Sequence, residues 1–178
     1  RDVRLAARNL NQKAFRMSIE WSRVFPESTE GVAGLRALDK LADQSAIRRY
    51  RRILRTIRAE GMTPWVTLSH FVLPIWIHYP IASRAALAAL GPNDPVPAIP
   101  RSGWLSRTTV GEFRKYAAYL AWKLGDDVNR WITLNEPMVV AVNGYVNIPG
   151  IVEGNFPPGA WNYAAVIDAI MNMADANA

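Results

Sequence analysis

The stretch Phe15-Arg16-Met17-Ser18-Ile19-Glu20-Trp21 is where the rhythm of the chain changes. Before it, Val3, Ala6, Ala7 and Leu10 fall at helical spacing and Asn11 is a plausible terminator. Within it, Phe15, Met17, Ile19 and Trp21 alternate with Arg16, Ser18 and Glu20, which predicts a strand with one apolar and one polar face. The alternation of helix and strand continues outward. A second helix is expected over residues 46–60, with Ile47, Tyr50, Ile53, Leu54 and Ile57 on its buried side and Gly61 at its C-terminal end. A second strand is expected over 63–70. A third helix over 110–124 is opened by Thr109 and Glu112 at capping-box spacing and closed by Gly125. Residues 130–135 read as a third strand ended by Pro137, and a last helix follows from about Asn162.

Strands that alternate with helices argue for a parallel sheet, in a doubly wound fold or a (β/α)8 barrel. The helix-to-strand connections are short, Gly61-Met62 and 125–129, whereas the strand-to-helix connections run over 22–45, 71–108 and 138–161. All the elaboration is at the edge where the strands end, which is where barrel enzymes place their active sites. No Gly-rich phosphate turn follows any strand, so a dinucleotide-binding sheet is the weaker alternative. The expected fold class is α/β, part of a (β/α)8 TIM barrel.

Arg16, His70, Asn135 and Glu136 are the residues near those strand ends that chemistry can use. Each has a bland reading. A strand arginine is usually an ion-pair partner, a strand-end histidine is usually just hydrogen-bonded, and Asn-Glu-Pro can be a mere strand-terminating turn. Their convergence carries more weight, because side chains from different strand ends of a barrel point into one crevice. Asn135 and Glu136 are adjacent, so both can reach one ligand only if the strand end bulges, and Pro137 favours such a break.

The chain has 178 residues, half of them hydrophobic, enough for a sizeable core, and it carries no repeat and no low-complexity segment. It opens on Arg1 and ends in an apolar-periodic stretch without a cap, so residues 1–178 are expected to be one partial domain, incomplete at both ends. No apolar stretch approaches the ~20 residues of a membrane span. The absence of cysteine excludes disulfides and thiolate metal sites and favours a reducing cytosol while leaving the compartment open. The net charge is +6, with Arg48, Arg49, Arg51, Arg52, Arg55 and Arg58 clustered on one predicted helix; such a run reads as a solvated helix face rather than a nucleic-acid stripe.

Three motifs in order resemble the signatures of glycoside hydrolase family 1. Residues 15–26, Phe-Arg-Met-Ser-Ile-Glu-Trp-Ser-Arg-Val-Phe-Pro, are similar to its second-strand motif. Residues 66–74, Val-Thr-Leu-Ser-His-Phe-Val-Leu-Pro, are similar to the third, and 131–137, Trp-Ile-Thr-Leu-Asn-Glu-Pro, to the fourth. Within the family, residues 102–106 and Asn155-Phe156-Pro157-Pro158-Gly159 look most like the archaeal-type β-glycosidases. The resemblance covers essentially the whole chain and implies about three of the eight strands of a barrel.

By this resemblance the function is that of a retaining β-glycosidase acting on terminal β-linked glucose- or galactose-type sugars. Glu136 matches the general acid/base, which protonates the leaving oxygen and then deprotonates the incoming water. Retaining enzymes keep such an acid protonated with the charge of a second carboxylate about 5 Å away. Asn135 matches the residue that bonds the sugar 2-hydroxyl, His70 a ligand of the 3-hydroxyl, and Arg16 the arginine that holds the nucleophile ionised. The nucleophile comes from a Thr-Glu-Asn-Gly type segment late in the family's barrel, and no such segment occurs here. Glu20 matches a variable position, Glu60 and Glu112 fall on helices, and Glu27, Glu30 and Glu153 fall in loops. The isolated chain is therefore expected to be inactive. Its expected partners are a β-glycoside and the remainder of a parent barrel, with association into a homo-oligomer left open. No metal or cofactor is implied, and neither a nucleic acid nor a membrane.

The chain also departs from the family pattern. Phe71 stands at a sugar-contacting position where the family usually has Trp, so an indole N–H toward the 3-hydroxyl is gone. Val72 replaces a frequent Asp, and Asn177 occupies what looks like a usual His position. Two other readings stay open: another hydrolase of the same barrel clan, and a non-catalytic sugar-binding or structural remnant.

Overall fold

Three strands, β1 (Ala14–Ser18), β2 (Thr63–Ser69) and β3 (Trp131–Leu134), form a parallel sheet in the order β1-β2-β3. The register runs from Ala14 opposite Thr63 to Ser18 opposite Thr67, and from Val66 opposite Trp131 to Ser69 opposite Leu134. This register places Arg16 and Ser18 on the same face as Thr67 and Ser69. The helices are α1 (Asp2–Arg8), α2 (Trp21–Val24), α3 (Leu35–Leu41), α4 (Gln44–Ala59), α5 (Pro80–Ala88), α6 (Arg107–Leu124), α7 (Pro137–Tyr145) and α8 (Tyr163–Asn177). This is a computed structural model that describes residues 1–148, 150–151 and 156–178; Glu153 and Asn155, named above, lie outside the described residues. The chain divides into two units, residues 1–72 with 115–135 and residues 73–114 with 136–178.

The first unit holds the sheet. Its covered face carries Val66 and Leu68, both buried, and α4, whose Ile47, Leu54 and Ile57 are buried, packs on β2. Each of these side chains contributes roughly 1.5–3 kcal/mol by leaving water. α4 starts where Asp43 Oδ1 accepts the N–H groups of Ser45 at 2.7 Å and Ala46 at 3.2 Å. Tyr116 of α6 ties the strand ends together, since its buried hydroxyl donates to the carbonyls of Ile19 (2.8 Å) and Leu68 (3.3 Å) and its ring stacks on Trp21 at 5.1 Å.

The arginine cluster on α4 is only partly a solvated face. Arg51 donates to the Lys123 carbonyl and pairs with Asp127 at 3.2 Å, Arg55 pairs with Asp127 at 3.3 Å, and Arg58 donates to the Asp126 carbonyl at 2.6 Å. These cations sit at the C-terminal end of α6, where carbonyls lack helical partners and the dipole is negative. Tyr50, which interrupts the arginine run, is buried, so it offers no platform for a base.

The second unit is helical. Asn162 caps α8, accepting from Ala165 N–H at 2.8 Å while its amide donates to the carbonyls of Gly91 (3.1 Å) and Asp94 (3.0 Å). Asn172 on α8 donates to the Trp104 carbonyl at 2.8 Å, and Trp104 meets Phe113 edge-on at 5.6 Å. No described helix is long and apolar enough to cross a membrane.

Four expectations shift. β1 ends at Ser18 rather than Trp21: the Ile19 N–H still donates to the Thr67 carbonyl at 3.0 Å, but the Glu20 N–H turns to the Tyr50 hydroxyl at 3.1 Å and Trp21 opens α2. β2 ends one residue before His70. α6 begins at Arg107, three residues early, because Ser106 Oγ accepts the Thr108 N–H at 3.2 Å; the Thr109 hydroxyl donates instead to the Gly103 carbonyl at 2.6 Å. The long strand-to-helix connections are not plain loops, for they contain α2, α3, α5, α7 and a 3-10 turn over Gly103–Leu105.

Candidate functional site

A single guanidinium links the three strands. Arg16 Nε donates to Thr67 Oγ1 on β2 at 2.9 Å, and Arg16 Nη2 donates to Asn135 Oδ1 just past β3. Thr67 is fully buried and Asn135 nearly so, with the Asn135 N–H donating to the Ser69 carbonyl at 2.9 Å. Arg16 is itself exposed, and no carboxylate among the described residues pairs with it. The bland reading of a strand arginine, an internal ion pair, therefore fails within these residues.

His70 follows β2 directly. Its Nδ1 shares a 2.9 Å hydrogen bond with Ser18 Oγ, so Nε2 is the ring nitrogen that this bond leaves over. Phe71 meets the imidazole edge-on at 4.7 Å. A cavity of about 300 Å³ opens beside this pair, lined by Ser18, Glu20, Trp21, Tyr50 and His70 among others. A larger hollow of about 530 Å³ lies at the opposite strand edge, between the turns at 61–64 and 125–129, and touches none of the candidate residues.

The strand-end break inferred from Asn135 and Glu136 is present. Glu136 takes φ 46° and ψ 60°, a left-handed conformation uncommon outside glycine, and Phe71 stands at φ 74°. Both residues lie two positions past the end of a strand, so β2 and β3 end in the same way. Glu136 begins the second unit and precedes α7; its carbonyl accepts from Val139 (3.0 Å) and Val140 (3.2 Å), while its side chain makes no cap and is exposed.

The first unit thus brings together Arg16 with Asn135 and His70 with Phe71. Glu136 is joined to that set by the Asn135–Glu136 peptide bond. Sequence reading missed Thr67 and Ser18, the neutral hydroxyls that hold Arg16 and His70. They stand at facing register positions on the polar face, a relation that shows only once the strands are paired. The N–H donors and imidazole of the first unit can bond hydroxyl oxygens, and the Glu136 carboxyl of the second can give or take a proton. Among the described residues no group of three or more His, Cys, Asp or Glu could hold a metal.

Residues 1–79 and 96–178 match the family model of Glycosyl hydrolase family 1. The chain belongs to this family. It is 37% identical to a β-galactosidase of Pyrococcus woesei, an alignment that covers 97% of this chain and 35% of that protein. Among solved structures, Fpglu1 of Fervidobacterium pennivoraus superposes with a TM-score of 0.85 at 37% identity, covering 98% of this chain and 36% of that one. The β-glycosidase of Thermosphaera aggregans superposes with a TM-score of 0.83 at 34% identity, over 98% and 38%. The chain spans little more than a third of the length of these relatives, and its three strands are part of a (β/α)8 barrel. The unmatched residues 80–95 of this family 1 chain hold α5 and the Gly91 and Asp94 carbonyls that receive the Asn162 amide.

Proposed function

We propose that the protein carrying this segment is a retaining β-glycosidase acting on β-linked glucose- or galactose-type sugars, and that residues 1–178 are one partial domain of its barrel. The observation that carries the reading is the row Arg16–Thr67–Asn135, which spans three parallel strands at the edge where barrel enzymes keep their chemistry. Glu136 is the general acid/base. Its side chain is exposed and unengaged among the described residues, so it is available to give a proton to the leaving oxygen and to take one from water. Asn135 takes the sugar 2-hydroxyl, His70 takes the 3-hydroxyl through Nε2, and Phe71 offers that subsite an apolar edge. Arg16 keeps three of its five N–H donors for the second carboxylate, which comes from the part of the relatives' length that this chain does not span.

In the full-length protein, Glu136→Gln is expected to spare covalent glycosylation by aryl glycosides with good leaving groups. Turnover of alkyl glycosides, which need a proton on the leaving oxygen, should fall by about 10²–10⁴. Retention of wild-type alkyl glycoside turnover in that variant would reject Glu136 as the acid. The isolated 178-residue chain is expected not to hydrolyse an aryl β-glucoside, and hydrolysis abolished by Glu136→Gln would show that the second carboxylate lies within it.

A further inference from the structure

A carboxamide has one acceptor oxygen and one donor nitrogen, whereas a guanidinium only donates. The atom of Asn135 that meets Arg16 Nη2 must therefore be Oδ1, which turns the Nδ2–H groups to the other side. The arrangement is held from behind. Arg16 Nε is fixed on Thr67 Oγ1 at 2.9 Å, Thr67 is wholly buried, and the Asn135 N–H is tied to the Ser69 carbonyl at 2.9 Å. An amide flip would set N–H against N–H in a nearly buried place, with the lost hydrogen bond uncompensated.

From this geometry we infer that Arg16 is a positioning residue that sets the hydrogen-bond polarity of Asn135, so that Asn135 offers N–H groups to the sugar O2 and selects for a substrate oxygen there. The inference rests on the β-glycosidase reading and deepens it. The 2-hydroxyl has a single proton. If Asn135 donates to O2, that proton is left for the carboxylate that attacks the anomeric carbon, and this bond strengthens as the ring gains positive charge. A reversed amide would compete for the same proton. The cation on Oδ1 also polarises the amide, making its N–H groups stronger donors.

The test compares an aryl β-glucoside with its 2-deoxy counterpart on the full-length protein, in wild type and in Arg16→Met. The loss of kcat/KM is expected to be roughly tenfold larger on the 2-hydroxy substrate, the weight of one charge-assisted contact. Equal losses on both substrates would overturn the inference. Thr67→Val, which keeps the charge but removes the Nε acceptor, should show the same bias to a smaller degree and stands in if Arg16→Met does not fold. A wild-type protein without glycosidase activity rejects the parent reading instead. The polarity is then read in the 178-residue chain from the Asn135 side-chain amide NMR signals, identified by their loss in Asn135→Asp. Those signals should move in Arg16→Met and in Thr67→Val, and unmoved signals in both overturn the inference.

Discussion

Acid should weaken the second unit through His78. The imidazole Nε2 is buried with no hydrogen-bond partner among the described residues, and Gly103, at φ 63°, backs onto the ring so closely that an added Cβ would stand 3.0 Å from His78 Cγ. Burial disfavours the charged ring and pushes its pKa down to about 4 from an ordinary 6.5. Because the folded value is the lower one, the unfolded chain binds the proton first as the pH falls. Stability is then intact above pH 6.5 and drains away between 6.5 and about 4. At about pH 4.5 the loss is about 2.5 kcal/mol, from the difference between the two binding polynomials. Urea denaturation at about pH 7.5 and about pH 4.5, in wild type and in His78→Phe, isolates this contribution because the carboxylates titrate alike in both. Wild type should lose about 2.5 kcal/mol more than the variant. Parallel losses, equal within about 0.5 kcal/mol, would show that the ring is protonated in place at no cost and that the burial argument is wrong.

Gly103→Ala combines a left-handed backbone with a crowded Cβ, so a loss of about 1–3 kcal/mol is expected, read as a shift of the urea midpoint. Asp43→Ala removes the two bonds that cap α4 and should cost about 1 kcal/mol, with Asp43→Asn retaining most of it. Tyr116→Phe leaves the buried Ile19 and Leu68 carbonyls without their shared donor, for a loss of about 1–2 kcal/mol in thermal unfolding; an unchanged midpoint would mean that water replaces the hydroxyl.

The sheet was legible because strand and helix periods differ and the main helices are amphipathic. α4 follows its expected bounds within two residues, and of its expected buried side Ile47, Tyr50, Leu54 and Ile57 are buried and Ile53 is half-buried. The helices inside the connections were not legible, each for its own reason. α7 is apolar on nearly every side from Met138 to Val142, so it has no period, and α3 starts from a left-handed glycine without a side-chain cap. At β1, Trp21, Val24 and Phe25 satisfy the helical spacing i, i+3, i+4, yet Trp21 also continues the period of two begun at Phe15, and the strand reading ran on too far. In the site, the charged and imidazole residues could be found from their strand ends. Thr67 and Ser18 could not, since a neutral hydroxyl inside a strand is ordinary until a partner is known.

The early end of β1 bears directly on what Arg16 can do. On an unbroken strand, Glu20 would lie on the same face as Arg16 and Ser18, two steps beyond Ser18, and would be the carboxylate at hand to neutralise the guanidinium. The chain turns after Ile19 instead, and Glu20 pairs with Arg23 in α2 at 2.6 Å. Arg16 is left with neutral oxygens from Thr67 and Asn135, which orient it without cancelling its charge. An exposed guanidinium bears that state at little cost because water solvates it. In the proposed glycosidase, where further chain would cover the site and exclude water, the same charge would require an anion, and a carboxylate meeting its remaining N–H groups would satisfy the requirement while being held ionised. The turn at Glu20, next to the Trp21 ring stacked on Tyr116, thus leaves the Arg16 guanidinium without a carboxylate among the described residues, the state that its proposed role toward a second carboxylate requires.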